Sequence, residues 1–327
     1  MLGIGLPFTA TKIVIKTKTV FVLGAGASKP YGFPTGKELA GMLWSLRTDA
    51  GNPIVENLRQ SGFAQADINE FLKEFNRSRL VSIDAFLSKR IDYGNIGKYA
   101  IAATLSAHES EERCSPNSVD QSEDWYTALW QALTADLKDT RILSSNQVKF
   151  ISFNYDRSLE HVLQQATEST FKLAPDAAFQ LWSKMEICHV YGQLGKYEFP
   201  ESNSCRAYGQ VDAASLKLAA EGIKIIPESR HDGSMFDYVR NWFDWAERIC
   251  FLGFGFDQLN CERLDLTRVL NFKNSLDKPL PTIYASTLGM RQAEQNVALK
   301  QIVGPHGWNP IEKSCLETLR NFGLLAG

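Results

Sequence analysis

The sequence predicts an α/β protein: a Rossmann-like, doubly wound, mainly parallel sheet with a helical insertion between its first and second strands. Three observations predict it. Short apolar runs recur that are near-continuous rather than alternating, as strands buried on both faces are. Stretches of helical period separate most of them. The first run leads straight into a glycine-rich turn.

In order, the apolar runs are residues 19–23, 148–153, 187–191, 223–226, 249–254 and 282–285. Helical period fills 157–165 and 234–248. The long interval 36–146 reads as helices at 36–47, 53–60, 66–77, 83–90, 94–108 and 123–139. Thr35 followed by Glu38 has the form of a capping box, which starts the first of these helices. Residues 109–122 are polar, carry Pro116 and several serines, and are expected to form an exposed loop. The chain, 1–327, reads as a single domain with 36–146 inserted in it, and it shows no repeat, heptad array or low-complexity tract.

Composition narrows the class. With 327 residues, 44% hydrophobic, the chain can bury a sizeable core, which excludes disordered and fibrous classes. Lysine and arginine number 35 against 37 acidic residues, so a net charge of −2 gives no global footprint for nucleic acid or an anionic membrane. Six sparse cysteines without a C-x-x-C argue against a zinc ribbon or thioredoxin-type site and for free thiols in a reducing compartment. The apolar start is broken by Pro7 and Lys12 and lacks the basic segment and cleavage site of a signal peptide. The run 249–256 is too short to span a bilayer, and a soluble cytoplasmic protein is expected.

Four segments offer chemistry. In the first, Val22-Leu23 runs into Gly24-Ala25-Gly26-Ala27-Ser28, with Gly32-Phe33-Pro34-Thr35-Gly36 downstream. Glycines permit left-handed angles and close approach of a phosphate, and backbone N–H groups supply a positive field. The third glycine of G-x-G-x-x-G is missing, so the turn reads either as a nucleotide cradle or as a purely structural turn. In the second, Asn154 and Asp156 end an apolar run just before a helix. There they either meet a ligand at the carboxyl edge of the sheet or cap the helix and turn. In the third, His189 lies in an apolar strand, as a hydrogen-bonded core residue or as a catalyst. In the fourth, Gly253-Phe254-Gly255-Phe256-Asp257 follows another strand, as a second cradle or a close-packed turn.

The remaining candidates read as structural. His108, His161, His231 and His306 have no ligand-like spacing and are expected on solvated helices or loops. Phe236, Tyr238, Trp242 and Trp245 read as helix core, and the charges of 70–79 as a solvated helix face. No G-x-S-x-G, H-E-x-x-H or metal-ligand cluster is present.

Taken together, G-A-G-A-S with G-F-P-T-G, then F-N-Y-D, H-V-Y-G and F-L-G-F-G-F-D resembles the sirtuin-like NAD-binding family. The segment Ser82-Ile83-Asp84-Ala85-Phe86-Leu87 looks like a helix of its bacterial branch. The two C-x-x-C pairs of zinc-binding deacylases are absent, and Gly32–Gly36 lacks the aspartate and arginine of the deacylase loop. Both point to the zinc-free branch, which resembles NAD+-consuming effectors of bacterial anti-phage defence.

That resemblance implies an NAD+ glycohydrolase with NAD+ as substrate and no metal. It implies catalytic roles for Asn154, Asp156 and His189. It assigns Gly24, Ala25, Gly26, Ala27 and Ser28 to the pyrophosphate, with Phe33, Pro34 and Thr35 beside it, and Gly253, Gly255 and Asp257 to the adenosine half. Asn154 is expected to bond ribose hydroxyls and water, and His189 to take a proton. Unregulated NAD+ hydrolysis is toxic and no separate sensor domain is evident, so control by self-assembly or a separate regulatory partner is expected. A non-catalytic NAD- or ADP-ribose-binding module and a protein deacylase are the alternatives.

Overall fold

In the computed structural model, which describes residues 15–46, 51–135, 143, 145–199, 205–225 and 233–325, six strands form one sheet in the order β3-β2-β1-β4-β5-β6. They are β1 (Thr19–Leu23), β2 (Val148–Ser152), β3 (Glu186–His189), β4 (Arg248–Leu252), β5 (Thr282–Ser286) and β6 (Asn309–Ile311). Every ladder between them is parallel, so the sheet has the α/β, Rossmann-like architecture expected. From the central β1 the chain steps outward through β2 and β3. It then returns to β4 on the other side of β1 and steps outward through β5 and β6. That reversal places the topological switch point between β1 and β4.

Alternation along each strand feeds two cores. Val20, Val22, Ile151, Ile249, Phe251, Ile283 and Ala285 face one side. Phe21, Leu23, Val148, Phe150, Cys250 and Leu252 face the other. Strands that are apolar at every position therefore need helices on both faces, which is the physical reason for the near-continuous runs.

The interval between β1 and β2 is helical. A one-turn α1 (Ala25–Ser28) is followed by α2 (Gly36–Trp44), α3 (Pro53–Gln60), α4 (Gln65–Ser78), α5 (Ile83–Leu87), α6 (Gly94–Ser106), α7 (Glu111–Cys114) and α8 (Trp125–Leu133). Thr35 closes the expected capping box: its Oγ1 accepts from Glu38 N–H, and its own N–H donates to Glu38 Oε2 at 2.8 Å. Phe71, Phe75 and Phe86 from α4 and α5 pack on one another and belong to the same core as Val20 and Val22 of β1. Each such fully buried phenylalanine contributes on the order of 1.5–3 kcal/mol. Helix α8 covers the opposite face through Trp125, Leu129 and Leu133.

The remaining helices alternate with strands. They are α9 (Ser158–Phe171) and α10 (Pro175–Trp182) after β2, and α11 (Ala213–Gly222) and α12 (Gly233–Trp245) after β3. Then come α13 (Gln258–Leu264), α14 (Leu266–Ser275), α15 (Gln292–Ile302) and α16 (Cys315–Asn321). Among the described residues no helix is long and apolar enough to cross a membrane. No disulfide joins any of the cysteines among the described residues.

Three expectations need correction, and one strand went unread. The apolar run at 223–226 is not a strand of the sheet: Ile223 makes only an isolated antiparallel bridge with Gly192, and residue 226 lies outside the described residues. Its hydrophobicity serves the core around α6 and α11 instead. Strand β6 carried no apolar signal because it is a short, largely exposed edge with Pro310 in it. The segment 109–122 is not simply exposed, since Glu109, Cys114 and Val119 are buried. The helix expected through 139 is observed only over Trp125–Leu133, and residues 136–139, like Arg47 and His231, lie outside the described residues.

Candidate active site

Parallel register brings the sequence motifs to one rim. Leu23 is level with Ser152 and with Leu252, and Ser152 is level with His189. The residues just past these positions therefore emerge together at the carboxyl edge of the sheet, where open α/β proteins bind ligands.

The two glycine turns meet there, packed as the structural alternative to a phosphate cradle requires. Gly24 is extended, with φ −112° and ψ 177°, so left-handed geometry does not require glycine at that position. A Cβ on Gly24 would lie 2.6 Å from Gly253 O, and one on Gly26 would lie 2.9 Å from it. Gly253 does need its freedom, with φ +57° and a notional Cβ 2.0 Å from Ala27 N. These glycines admit backbone against backbone. Three amides of the first turn are spent internally: Gly24 N–H on Leu252 O, Gly26 N–H on Gly253 O and Ala27 N–H on Gly24 O. They are not available to a phosphate, whereas Ala25 N–H has no partner among the described residues.

Asn154 is locked onto the first turn. Its Nδ2 donates to Gly24 O and to Ser28 Oγ, both at 3.0 Å. Its Oδ1 is buried and has no partner. Leaving a buried acceptor unmatched costs about 1–3 kcal/mol, so this atom marks where a donor is called for. Asp156 accepts from Ser158 N–H at 3.1 Å and from the Ser158 hydroxyl. Burial raises its pKa, against the lowering effect of the serine bonds. Tyr155, between them, donates to Asp84 of α5 at 2.6 Å, which ties the insertion to the rim.

His189 joins the same cluster. Its Nδ1 lies 2.8 Å from Asn154 O, and its Nε2 lies 2.6 Å from Oε1 of Glu160 on α9. Burial works against a charge on this imidazole, but the Glu160 carboxylate outweighs it and holds the pKa above its ordinary value. Glu160 is the site residue that sequence reasoning missed. An acidic residue at the start of a helix reads as a dipole-compensating surface charge, and its partner lies 29 residues away.

Ser28, Asn154, Asp156, Glu160 and His189, with Tyr126, line one cavity of about 10 Å³. That is room for roughly one water. On the far side of Glu160 and His189 lies an open cleft of about 730 Å³, walled by Trp182, Tyr197 and Trp242. The carboxamide, carboxylate and imidazole expected to act together do share a cavity. The other expected contacts do not line it. Thr35 caps α2, while Phe33 and Pro34 are buried. Asp257 caps α13 through bonds from Leu259 and Asn260 N–H, and Gly255 is exposed.

His161, the next residue on α9, is not solvated as expected. It is buried and stacked on Tyr208 with ring centroids 3.8 Å apart, and burial pushes its pKa down to about 4. Tyr238, read as core, is instead exposed and donates to Glu186 at 2.9 Å. Among the described residues no three His, Cys, Asp or Glu side chains are placed to share a metal ion.

No protein-family model matches the chain, and no curated protein matches it in sequence.

Proposed function

We propose that the chain is an NAD+ glycohydrolase that splits NAD+ into nicotinamide and ADP-ribose. In this reading it works in the cytoplasm as an NAD+-depleting effector of anti-phage defence, under control of self-assembly or a separate regulatory protein. The single observation that carries the chemistry is the unmatched, buried Oδ1 of Asn154, in a one-water cavity beside the His189–Glu160 pair. The defence role and its control rest on the resemblance of the rim motifs alone.

The reaction makes modest demands. The leaving nicotinamide is neutralised as the glycosidic bond breaks, and the ribose passes through an oxocarbenium-like state. The protein has to hold the sugar, present a water and remove a proton. Asn154 Oδ1 is set to accept from a ribose hydroxyl or that water, with its amide fixed by Gly24 and Ser28. Ala25 N–H, which has no partner among the described residues, is a backbone donor that a pyrophosphate laid on the first turn would meet. The His189–Glu160 pair handles the proton.

Nicotinamide release from NAD+ by the purified protein, followed chromatographically, tests the reading. Asn154→Ala is expected to slow release about 10²-fold or more, the size of a lost preorganised contact. A variant that releases nicotinamide at the parent rate removes Asn154 from the site. One observation favours a second reading, a non-catalytic NAD+- or ADP-ribose-binding module: the shared cavity is only the size of a water. Tight NAD+ binding in calorimetry without nicotinamide release would select it.

A further inference from the structure

Hydrolysis of NAD+ releases one proton per turnover, and the rim narrows where it can go. A carbonyl oxygen only accepts, so His189 Nδ1, 2.8 Å from Asn154 O, carries a hydrogen. A carboxylate accepts as well, so a second proton lies between His189 Nε2 and Glu160 Oε1, 2.6 Å apart. The ring then has no lone pair to offer a substrate. Glu160 has a second oxygen, Oε2, to which no described residue donates. Glu160 also borders both the one-water cavity and the open cleft. The other titratable groups that line these spaces are Asp156 and Tyr126 in the cavity, and Glu186, Cys188, Tyr197, Glu198, Lys224 and Tyr238 in the cleft.

We propose that Glu160 is the proton acceptor of the reaction, through Oε2, and that His189 is a positioning residue whose two N–H groups fix that carboxylate against Asn154. This rests on the NAD+-hydrolysis reading above. The water oxygen bonds to ribose C1′. The C1′–N bond breaks with its electron pair passing to the pyridinium nitrogen, and the water proton goes to Oε2. The carboxylic acid so formed loses its proton into the open cleft, which restores the carboxylate.

The test uses the full chain and its E160Q, E160D and H189Q variants. Nicotinamide release is measured across pH, NAD+ binding by calorimetry, and histidine protonation by 15N NMR of the parent protein. E160Q is expected to lower kcat about 10²–10⁴-fold, the range of a lost general base, while NAD+ binding holds within about threefold. E160D restores part of the rate. H189Q frees the carboxylate from its fixed position, so kcat falls while NAD+ binding holds within about threefold. In the parent, NMR shows His189 protonated on both nitrogens near neutral pH, and E160Q shows it singly protonated. If the parent hydrolyses NAD+ and E160Q keeps its rate, or parent His189 is singly protonated near neutral pH, this assignment falls and the NAD+ reading stands. If the parent neither binds nor hydrolyses NAD+, both fall.

Discussion

Glu160 and His161 are neighbours on α9, yet they enter two polar clusters built on opposite rules. His161 belongs to one that is closed around its carboxylate, although the buried His161 Nε2 has no partner among the described residues. It stacks on Tyr208, beside Glu109, whose carboxylate is saturated. Arg157 donates to Glu109 through Nε at 2.9 Å and Nη2 at 3.0 Å, Arg206 through Nη1 at 2.6 Å, and Gly209 through its N–H at 3.0 Å. The spare arginine donors go to the backbone carbonyls of Lys196, Leu194, Arg206 and Gln210. The charged side chains of this cluster are fully buried, and it clamps α9 to the segments around 109, 194–196 and 206–210. Glu160 belongs to an open cluster, where one Glu160 oxygen and Asn154 Oδ1 have no donor among the described residues and both side chains belong to residues lining a cavity. A saturated network fixes a fold. An unsaturated one held rigid on three sides waits for a ligand to complete it.

Three measurements break or sharpen that contrast. The largest effect is expected from Glu109→Ala, which strands two buried guanidinium groups. It should cost about 3–5 kcal/mol of stability, read by urea unfolding, and leave nicotinamide release per folded molecule unchanged. A loss of release without a loss of stability would erase the distinction between the clusters.

A smaller effect is pH-dependent and opposite in sign at the two histidines. The folded pKa of His189 is raised, so its contribution to stability is complete below the ordinary imidazole value and is lost as pH rises through the folded value. His161 is depressed to about 4, so its contribution is present at neutral pH and is lost as pH falls through the interval from about 6.5 to that value. Unfolding midpoints across pH in E160Q and in His161→Phe separate the two: the first should flatten the alkaline side and the second the acid side. The smallest effect is that of His161→Phe at neutral pH. It keeps a ring against Tyr208, gives up the contact between Nδ1 and Tyr197 OH at 3.1 Å and removes the buried, unmatched Nε2, so the two changes offset and the net shift stays within about 1 kcal/mol.

Much of the fold was legible because burial on both faces writes itself into composition. β1, β2, β4 and β5 could be read directly from their apolar runs, and Thr35 with Glu38 announced a helix start. β6 was invisible because an exposed edge needs no apolar run, and 223–226 misled because apolar residues also serve helix packing. The site was legible only in part. Asn154, Asp156 and His189 stood out as polar residues at strand ends, where local sequence carries the signal. Glu160, Glu109 and Arg157 looked like ordinary helix and loop charges, since what makes them special is a partner distant along the chain. At the glycine turns the sequence left a phosphate cradle and a close-packed turn both open, because it does not show that the second turn presses on the first.

That pressing has a consequence for how the rim can move. With no clearance for even a methyl group between the turns at 24–26 and 253, the ledge beneath Asn154 cannot sink to admit a guest. Any widening of the chamber has to be won from its other walls, where Tyr126, Leu159 and Ile187 stand.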